Sequence, residues 1–181
     1  MRADARRNRE RILAAAEEVF AAAGPDASTE EVARRAGVAI GTVFRHFPTK
    51  SDLLRAMMKR LLQQVTDDAA ELISHGDPAG ALFEFVARLV ERTAANRAVV
   101  SLLAAKGMEV PITGPLGSLS DAVEELLVRG QEAGAIAEGI RLDEVMALLV
   151  SACQGALHGG WDADLRRRTL GIMLAGLRPD A

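Results

Sequence analysis

The most informative part of the sequence is residues 28–50, STEEVARRAGVAIGTVFRHFPTK. Ser28 is followed three positions later by an acidic residue, the spacing of a capping box, which predicts that a helix begins directly after Ser28. Gly37 stands where a left-handed residue would end that helix. Val43 and Phe47 are four residues apart, so they form the buried face of a second short helix. Two helices joined by such a turn predict a helix-turn-helix, whose second helix can enter the major groove of DNA.

The composition favours helices and a reducing compartment. Aromatic residues make up only 3% of the 181 residues, Tyr is absent, and Ala and Leu are abundant, which suits helices packed by aliphatic side chains. The sequence contains no run of 18 uncharged apolar residues, so we expect no membrane span. The N-terminus also lacks the apolar segment of a secretory signal. Cys153 is the single cysteine, so it cannot form an internal disulfide. We therefore expect a cytoplasmic protein.

The charge is distributed unevenly along the chain. Residues 1–60 carry twelve Lys and Arg against eight Asp and Glu, whereas residues 61–181 carry ten against seventeen. A basic N-terminal third joined to an acidic remainder is typical of a DNA-binding module attached to a module that does not touch DNA. A chance asymmetry of this size is the alternative.

The remaining apolar spacing predicts further helices and no strand. Thr49 and Asp52 repeat the capping-box spacing, so a long helix is expected from there to about residue 74. The stretch 107–117 is rich in Gly and Pro and is predicted to be a loop. The other predicted helices are 6–23, 29–36, 40–47, 78–94 (with Pro78 at its first position), 96–105, 118–133, 142–158 and 163–177.

Residues 32–50, VARRAGVAIGTVFRHFPTK, resemble without a gap the helix-turn-helix signature of TetR-family transcriptional regulators. The resemblance covers about residues 10–60, and the segments GPDAST and GLR are similar to those of an actinobacterial subgroup. It implies an all-α protein with a three-helix DNA-binding domain over 1–50 and a helical effector-binding and dimerisation domain over 51–181. Two residues depart from the family pattern. Ala39 stands where the family usually has a Ser N-cap, and Phe44 replaces a Tyr whose hydroxyl commonly reaches a phosphate.

The resemblance also implies which residues meet double-stranded DNA. Thr42 and Arg45 are expected to read base edges, because a guanidinium can bind guanine with two hydrogen bonds. Ile40 and Phe44 can contact a thymine methyl group, and Gly41 permits close approach of the backbone. The residues expected to contact phosphates are Ser28, Thr29, His46, Thr49 and Lys50.

Each of these roles has a structural alternative. Arg45 can be a solvated surface charge, His46 a structural histidine, and Ser28 simply an N-cap. The arginines before residue 10 can act as a flexible arm on DNA or as a solubilising tail.

The last two predicted helices are the expected dimer interface. A module of this size needs a second copy to read two half-sites, so a homodimer on a palindromic operator is expected. The helix over 142–158 is apolar nearly all round and must be buried on every side, which a four-helix interface would satisfy. The alternative is a core within one chain. The residues expected at the interface are Leu149, Cys153, Leu170, Met173, Leu174 and Leu177.

The family resemblance further implies a pocket for a small apolar effector within the C-terminal helices. Gln154 and His158, four residues apart, are candidates to orient a polar group of the ligand. The other candidate lining residues, each of which can equally be plain core, are Leu62, Phe83, Val86, Leu103, Met108, Leu119 and Val123.

These observations favour a DNA-binding repressor that a ligand releases, and they offer little for catalysis. No phosphate-binding glycine loop or nucleophile elbow is present, and the histidines and the cysteine have no metal-ligand spacing. We expect no enzyme activity, no catalytic residue, no cofactor and no metal. The alternative is a ligand-independent regulator or an activator, whose C-terminal half is only a dimer scaffold.

Overall fold

The computed structural model of the chain describes residues 2–105 and 113–179. Within that part every regular element is helical, so the all-α prediction is confirmed. The α-helices are α1 Arg2–Ala23, α2 Thr29–Ala36, α3 Ile40–His46, α4 Lys50–His75, α5 Ala81–Ala95, α6 Arg97–Ala105, α7 Thr113–Glu132, α8 Leu142–His158 and α9 Ala163–Ala175, with a 3-10 turn at Gly24–Asp26.

The first helix begins earlier than predicted. It starts at Arg2 rather than near residue 6, with Asp4 in its first turn, where an acidic side chain favours the helix dipole. Asp4 also pairs with Arg7, one turn further on. The guanidinium of Arg9 lies 5.2 Å from the centroid of the Phe47 ring. These arginines therefore belong to a helix and not to a flexible arm.

Two other helices, α7 and α5, begin three or more residues away from the predicted start. Residues 107–112 of the predicted loop lie outside the described residues, but 113–117 form the start of α7, which corrects that prediction. Pro115 is the third residue of α7, where a backbone nitrogen needs no intrahelical partner, so the helix tolerates it. Pro78 does not open α5. The backbone carbonyl of Asp77 instead accepts bonds from the nitrogens of Gly80 and Ala81, a turn that delays the helix to Ala81.

The described residues form two compact units. The first comprises 2–61 and 95–105, and the second comprises 62–94 and 113–179. The first unit extends beyond the predicted boundary at residue 50, because Leu53, Leu54 and Met57 of α4 are fully buried. A functional boundary at residue 50 stays a prediction.

The core of the first unit is aliphatic with two phenylalanines. Ile12, Ala16 and Phe20 of α1 are at most 1% exposed, as are Val32 of α2 and Val43 of α3. Burial of these side chains stabilises the unit by about 1.5–3 kcal/mol for each large residue. This core fixes the positions of the two helices of the helix-turn-helix.

The second unit combines an apolar core with a buried carboxylate that forms an ion pair. Its buried side chains include Phe85, Val123, Leu126, Val145 and Leu149. Asp68 of α4, only 8% exposed, accepts hydrogen bonds from Nε of Arg92 at 2.5 Å and from its Nη2 at 2.9 Å. The pair joins α4 to α5 and satisfies a carboxylate that would be costly to bury alone.

Candidate nucleic-acid interface

The helix α2 begins as the sequence predicts, at an exposed N-terminus. The Oγ atom of Ser28 accepts a hydrogen bond from the backbone nitrogen of Glu31 at 3.1 Å. The Glu31 carboxylate does not complete the capping box but binds Arg34, and that hydrogen bond lowers the pKa of Glu31. Ser28 is exposed and Thr29 is half-buried, so both predicted phosphate contacts lie at the start of α2.

The turn between α2 and α3 depends on Gly37 and on an arginine from α1. Gly37 has φ 62° and ψ 40°, the left-handed conformation that the sequence predicts. Nη2 of Arg11 donates to the backbone oxygen of Ala36 at 2.7 Å and so satisfies the end of α2. Sequence reasoning missed Arg11, since its acceptor lies 25 residues away.

The helix α3 has one buried and one exposed face. Val43 and Phe47 are at most 3% exposed and hold the helix on the core. Ile40 and Phe44, although apolar, are 37% and 43% exposed on the other side. Because the two side chains are one helical turn apart, they form a contiguous exposed apolar patch, which favours an interaction surface.

The remaining predicted base contacts lie on α3 with this apolar pair. Gly41 and Arg45 are exposed, and Thr42 and His46 are half-buried. The structure thus places every candidate residue of α3 at least partly in reach of solvent.

Arg45 differs from the other arginines around the helix-turn-helix. Arg34 pairs with Glu31, Arg35 with Glu18 and Arg55 with Asp52. Among the described residues, the Arg45 side chain contacts no acidic group and donates no hydrogen bond. Its five N–H donors are therefore available to a base edge or a phosphate.

The start of α4 completes the surface. The backbone nitrogen of Thr49 donates to Oδ2 of Asp52 at 3.1 Å, and the nitrogen of Asp52 donates to Oγ1 of Thr49 at 3.1 Å, so the second predicted capping box is present. Thr49 is exposed. Lys50 is half-buried, and its Nζ atom donates to the backbone oxygen of Ala27 at 2.7 Å, a contact that sequence reasoning missed.

Comparison with known proteins agrees with this geometry. The family model described as bacterial regulatory proteins, tetR family, matches residues 12–57, and the model described as transcriptional regulator SbtR-like, C-terminal domain, matches residues 77–179. The crystal structure of the TetR transcription regulatory protein from Mycobacterium vanbaalenii is 34% identical, with a TM-score of 0.80, over 98% of this chain and 99% of that one. This chain belongs to the TetR family of transcriptional regulators.

Two other similarities are informative, one at lower identity over nearly the whole chain and one over a short segment. A solved structure described as the molecular basis for control of antibiotic production by bacterial hormones is 25% identical, with a TM-score of 0.73, over 96% of this chain and 98% of that chain. The regulator TtgW of Pseudomonas putida, itself described as uncharacterized, is 47% identical over 57 residues. That match spans 31% of this chain and 42% of TtgW. The matched domains and relatives are regulators of transcription, which is consistent with a protein that is not an enzyme.

TetR-family regulators bind DNA and act as dimers, and three of the six residues predicted at the dimer interface are buried within this chain. Leu149, Leu170 and Leu177 are at most 5% exposed, because the chain's own core buries them. Cys153, Met173 and Leu174 are half-buried. Burial raises the pKa of the Cys153 thiol, which also lies 3.7 Å from the Thr93 hydroxyl. Leu149, Leu170 and Leu177 therefore belong to the chain's own core, and an interface role for the three half-buried residues stays a prediction.

Other residues of the same two helices are exposed. Val150 of α8 is 58% exposed, and Leu165 and Ile172 of α9 are 48% and 77% exposed. Gln154 and His158 are also exposed and follow Val150 at four-residue spacing along α8. Exposed side chains do not line an enclosed cavity of the same chain, so this placement does not support the pocket role predicted for Gln154 and His158.

The other candidate pocket residues of this TetR-family chain are not all in one unit. Val86 and Val123 are fully buried in the second unit, with Leu62, Phe83 and Leu119 half-buried there. Leu103 is buried in the first unit, and Met108 lies outside the described residues. Within the described part, no helix is both long and apolar enough to cross a membrane.

Proposed function

We propose that this TetR-family regulator is a repressor that binds a pseudo-palindromic operator as a homodimer and leaves it when a small apolar ligand binds. The observation that carries the proposal is the exposed face of α3, where Arg45 has no partner among the described residues. A cation left unpaired beside the exposed apolar pair Ile40 and Phe44 suits a DNA groove, which offers both acceptor atoms and methyl groups.

Each residue of this surface takes a role that fits its placement. Thr42 and Arg45 read base edges, and Ile40 and Phe44 pack on thymine methyl groups or sugars. His46, Thr49, Ser28 and Thr29 contact phosphates, which set the register of the protein on the duplex.

The dimer forms through the exposed stripes of α8 and α9. Two copies that bury Val150, Leu165 and Ile172 against each other would remove these large apolar side chains from water. The dimer then presents two α3 helices to half-sites about 34–36 Å apart, or a multiple of that distance.

Ligand release follows from a population shift. A ligand that prefers the state unable to bind DNA moves the equilibrium toward it, and a preference of about 10⁴-fold reverses the populations from 1:99 to 99:1. The hormone-related structure at 25% identity supports a small-molecule effector. Because its proposed partner is operator DNA, we infer that the protein works in the cytoplasm.

The test is binding to the DNA upstream of the protein's own gene, with a scrambled duplex of equal length as the control. We expect sequence-specific binding whose affinity falls as salt increases, since phosphate contacts release counterions. Equal affinity for both duplexes at moderate salt would contradict the proposal.

The regulatory part needs a separate measurement. Deletion of the gene should raise the transcript that the operator controls, whereas a fall would make the protein an activator. For the effector, a panel of apolar small molecules is screened for compounds that raise the Tm and also weaken operator binding. A panel in which stabilising compounds leave operator affinity unchanged would favour a C-terminal half that is only a dimer scaffold.

A further inference from the structure

The ammonium group of Lys50 is turned toward the protein. Its Nζ atom lies 2.7 Å from the backbone oxygen of Ala27 and 3.4 Å from that of Pro25. It also lies 5.4 Å from the centroid of the Phe20 ring, within the range of a cation–π contact. The lysine that opens α4 therefore has three partners within its own chain.

These acceptors belong to the connection between α1 and α2. Pro25 is in the 3-10 turn Gly24–Asp26, and Ala27, only 2% exposed, directly precedes the N-cap Ser28. Backbone oxygens in a tight connection need partners outside a helix ladder, and an ammonium group can supply up to three N–H donors. Lys50 thus joins the first turn of α4 to the residues that fix where α2 begins.

We propose that Lys50 is a positioning residue for DNA binding rather than primarily a phosphate ligand. Its ammonium holds residues 25–27 in place, so that Ser28 and Thr29 are presented at the correct position for operator phosphates. The proposal rests on the operator contacts of α2 in the proposed function. It replaces the role that the sequence alone predicts for Lys50.

The comparison with other cations supports this assignment. Among the described residues, the ammonium of Lys59, exposed on the same helix, donates no hydrogen bond, and neither does the guanidinium of Arg45 on α3. If Lys50 turned outward to a phosphate, the oxygen of Ala27, a residue only 2% exposed, would lose its donor, and an unsatisfied buried acceptor is costly. A cation such as Arg45 can bind DNA without that loss.

The first test needs no variant and no DNA. NMR of the side-chain ammonium groups should show the Lys50 signal protected from solvent exchange, with Lys59 as the unprotected control. Addition of operator DNA should leave the Lys50 signal in place. A Lys50 signal that exchanges as fast as that of Lys59, or that shifts strongly only on DNA binding, would overturn the proposal.

The second test compares Lys50→Met with Lys59→Met. We expect Lys50→Met to speed backbone hydrogen exchange at the start of α2 and to weaken operator binding about tenfold, given the usual strength of hydrogen bonds from charged donors. The slope of log affinity against log salt should stay that of the wild type, because no phosphate contact is lost. Lys59→Met should change neither exchange nor affinity.

A phosphate contact by Lys50 would give a different result in the same experiment. A slope reduced by about one unit, with unchanged exchange at α2, would identify Lys50 as a phosphate ligand. If the wild-type protein binds no operator, the proposed function fails, while ammonium protection and hydrogen exchange still decide whether Lys50 holds residues 25–27.

Discussion

Ala39 is the N-cap residue of α3 and has no side chain that can accept a hydrogen bond. Its backbone is extended, with φ −65° and ψ 145°, which a capping serine adopts readily. We expect Ala39→Ser to raise the free energy of unfolding by about 1 kcal/mol, because the hydroxyl would satisfy an unpaired N–H of the first turn. Denaturant unfolding without DNA measures it. Ala39→Val adds bulk but no acceptor and should give no gain, and equal stability of the two variants would contradict the capping argument.

Arg45 is the residue on which base reading chiefly depends. Arg45→Ala should cost about 1–3 kcal/mol of operator binding and relax the preference at a single base pair, because a bidentate contact is lost. Binding to a set of operators with each position changed in turn measures it. Arg34→Ala is the control, since Arg34 is equally an exposed arginine but is paired with Glu31. A uniform loss over all sequences would make Arg45 a phosphate contact.

The residues that sequence could assign are those whose partners are close in the chain. Ser28 acts on an amide three residues away, and Gly37 acts through its own backbone, so both roles were predicted. Arg11 and Lys50 act on backbone oxygens 25 and 23 residues away. Spacing rules describe neighbours on one helix, so they give no signal for contacts that only the packed fold creates.

The helix α4 begins with a capping box whose contribution to stability should depend on pH. The hydrogen bond from the Thr49 hydroxyl, with further help from backbone bonds and Arg55, lowers the pKa of Asp52. A carboxylate whose pKa is lower in the folded state stabilises the fold above its unfolded pKa, and that contribution is lost as the pH falls through the folded pKa.

The matched variant is Asp52→Asn, which keeps the shape but cannot ionise. We expect it to be less stable than the wild type at neutral pH, with the difference closing as the pH falls below about 4, the usual range of an aspartate. Thermal melts of both proteins from pH 7 to pH 3 measure the difference. A gap that does not depend on pH would show that the Asp52 charge contributes nothing to the start of α4.

The apolar pattern predicted which side of a helix is buried. It did not predict whether the chain's own core or a second copy of the chain covers that side. Leu170 and Leu177 fit an interface as well as a core by spacing alone, and the structure shows that they face the chain's own core. Ile172, between them in sequence, is the exposed one. The start of α7 was missed for another reason, because Gly and Pro that break a helix interior are tolerated in its first turn.

The uneven charge along the whole chain suits one segment that contacts DNA and a second segment that does not. The excess of Lys and Arg over residues 1–60 suits contact with a polyanion, and the acidic remainder disfavours a second, non-specific contact. The helix-turn-helix has a short α3 of seven residues, so one copy reads few bases. Specific binding therefore requires that the C-terminal helices hold a second copy.

A substitution in the exposed apolar stripe of α9 is therefore the most direct test of the proposed dimer. Ile172→Glu places two carboxylates where two copies would bury two isoleucines, so the dimer should weaken by about a hundredfold or more. Sedimentation equilibrium measures the dimer constant, and operator binding should fall with it while binding to an isolated half-site is unchanged. Val128→Glu on α7 is the control, because Val128 is 44% exposed but lies outside α8 and α9. If Ile172→Glu stays as dimeric as Val128→Glu, the two copies meet through another surface, and the spacing of the two α3 helices must be set there.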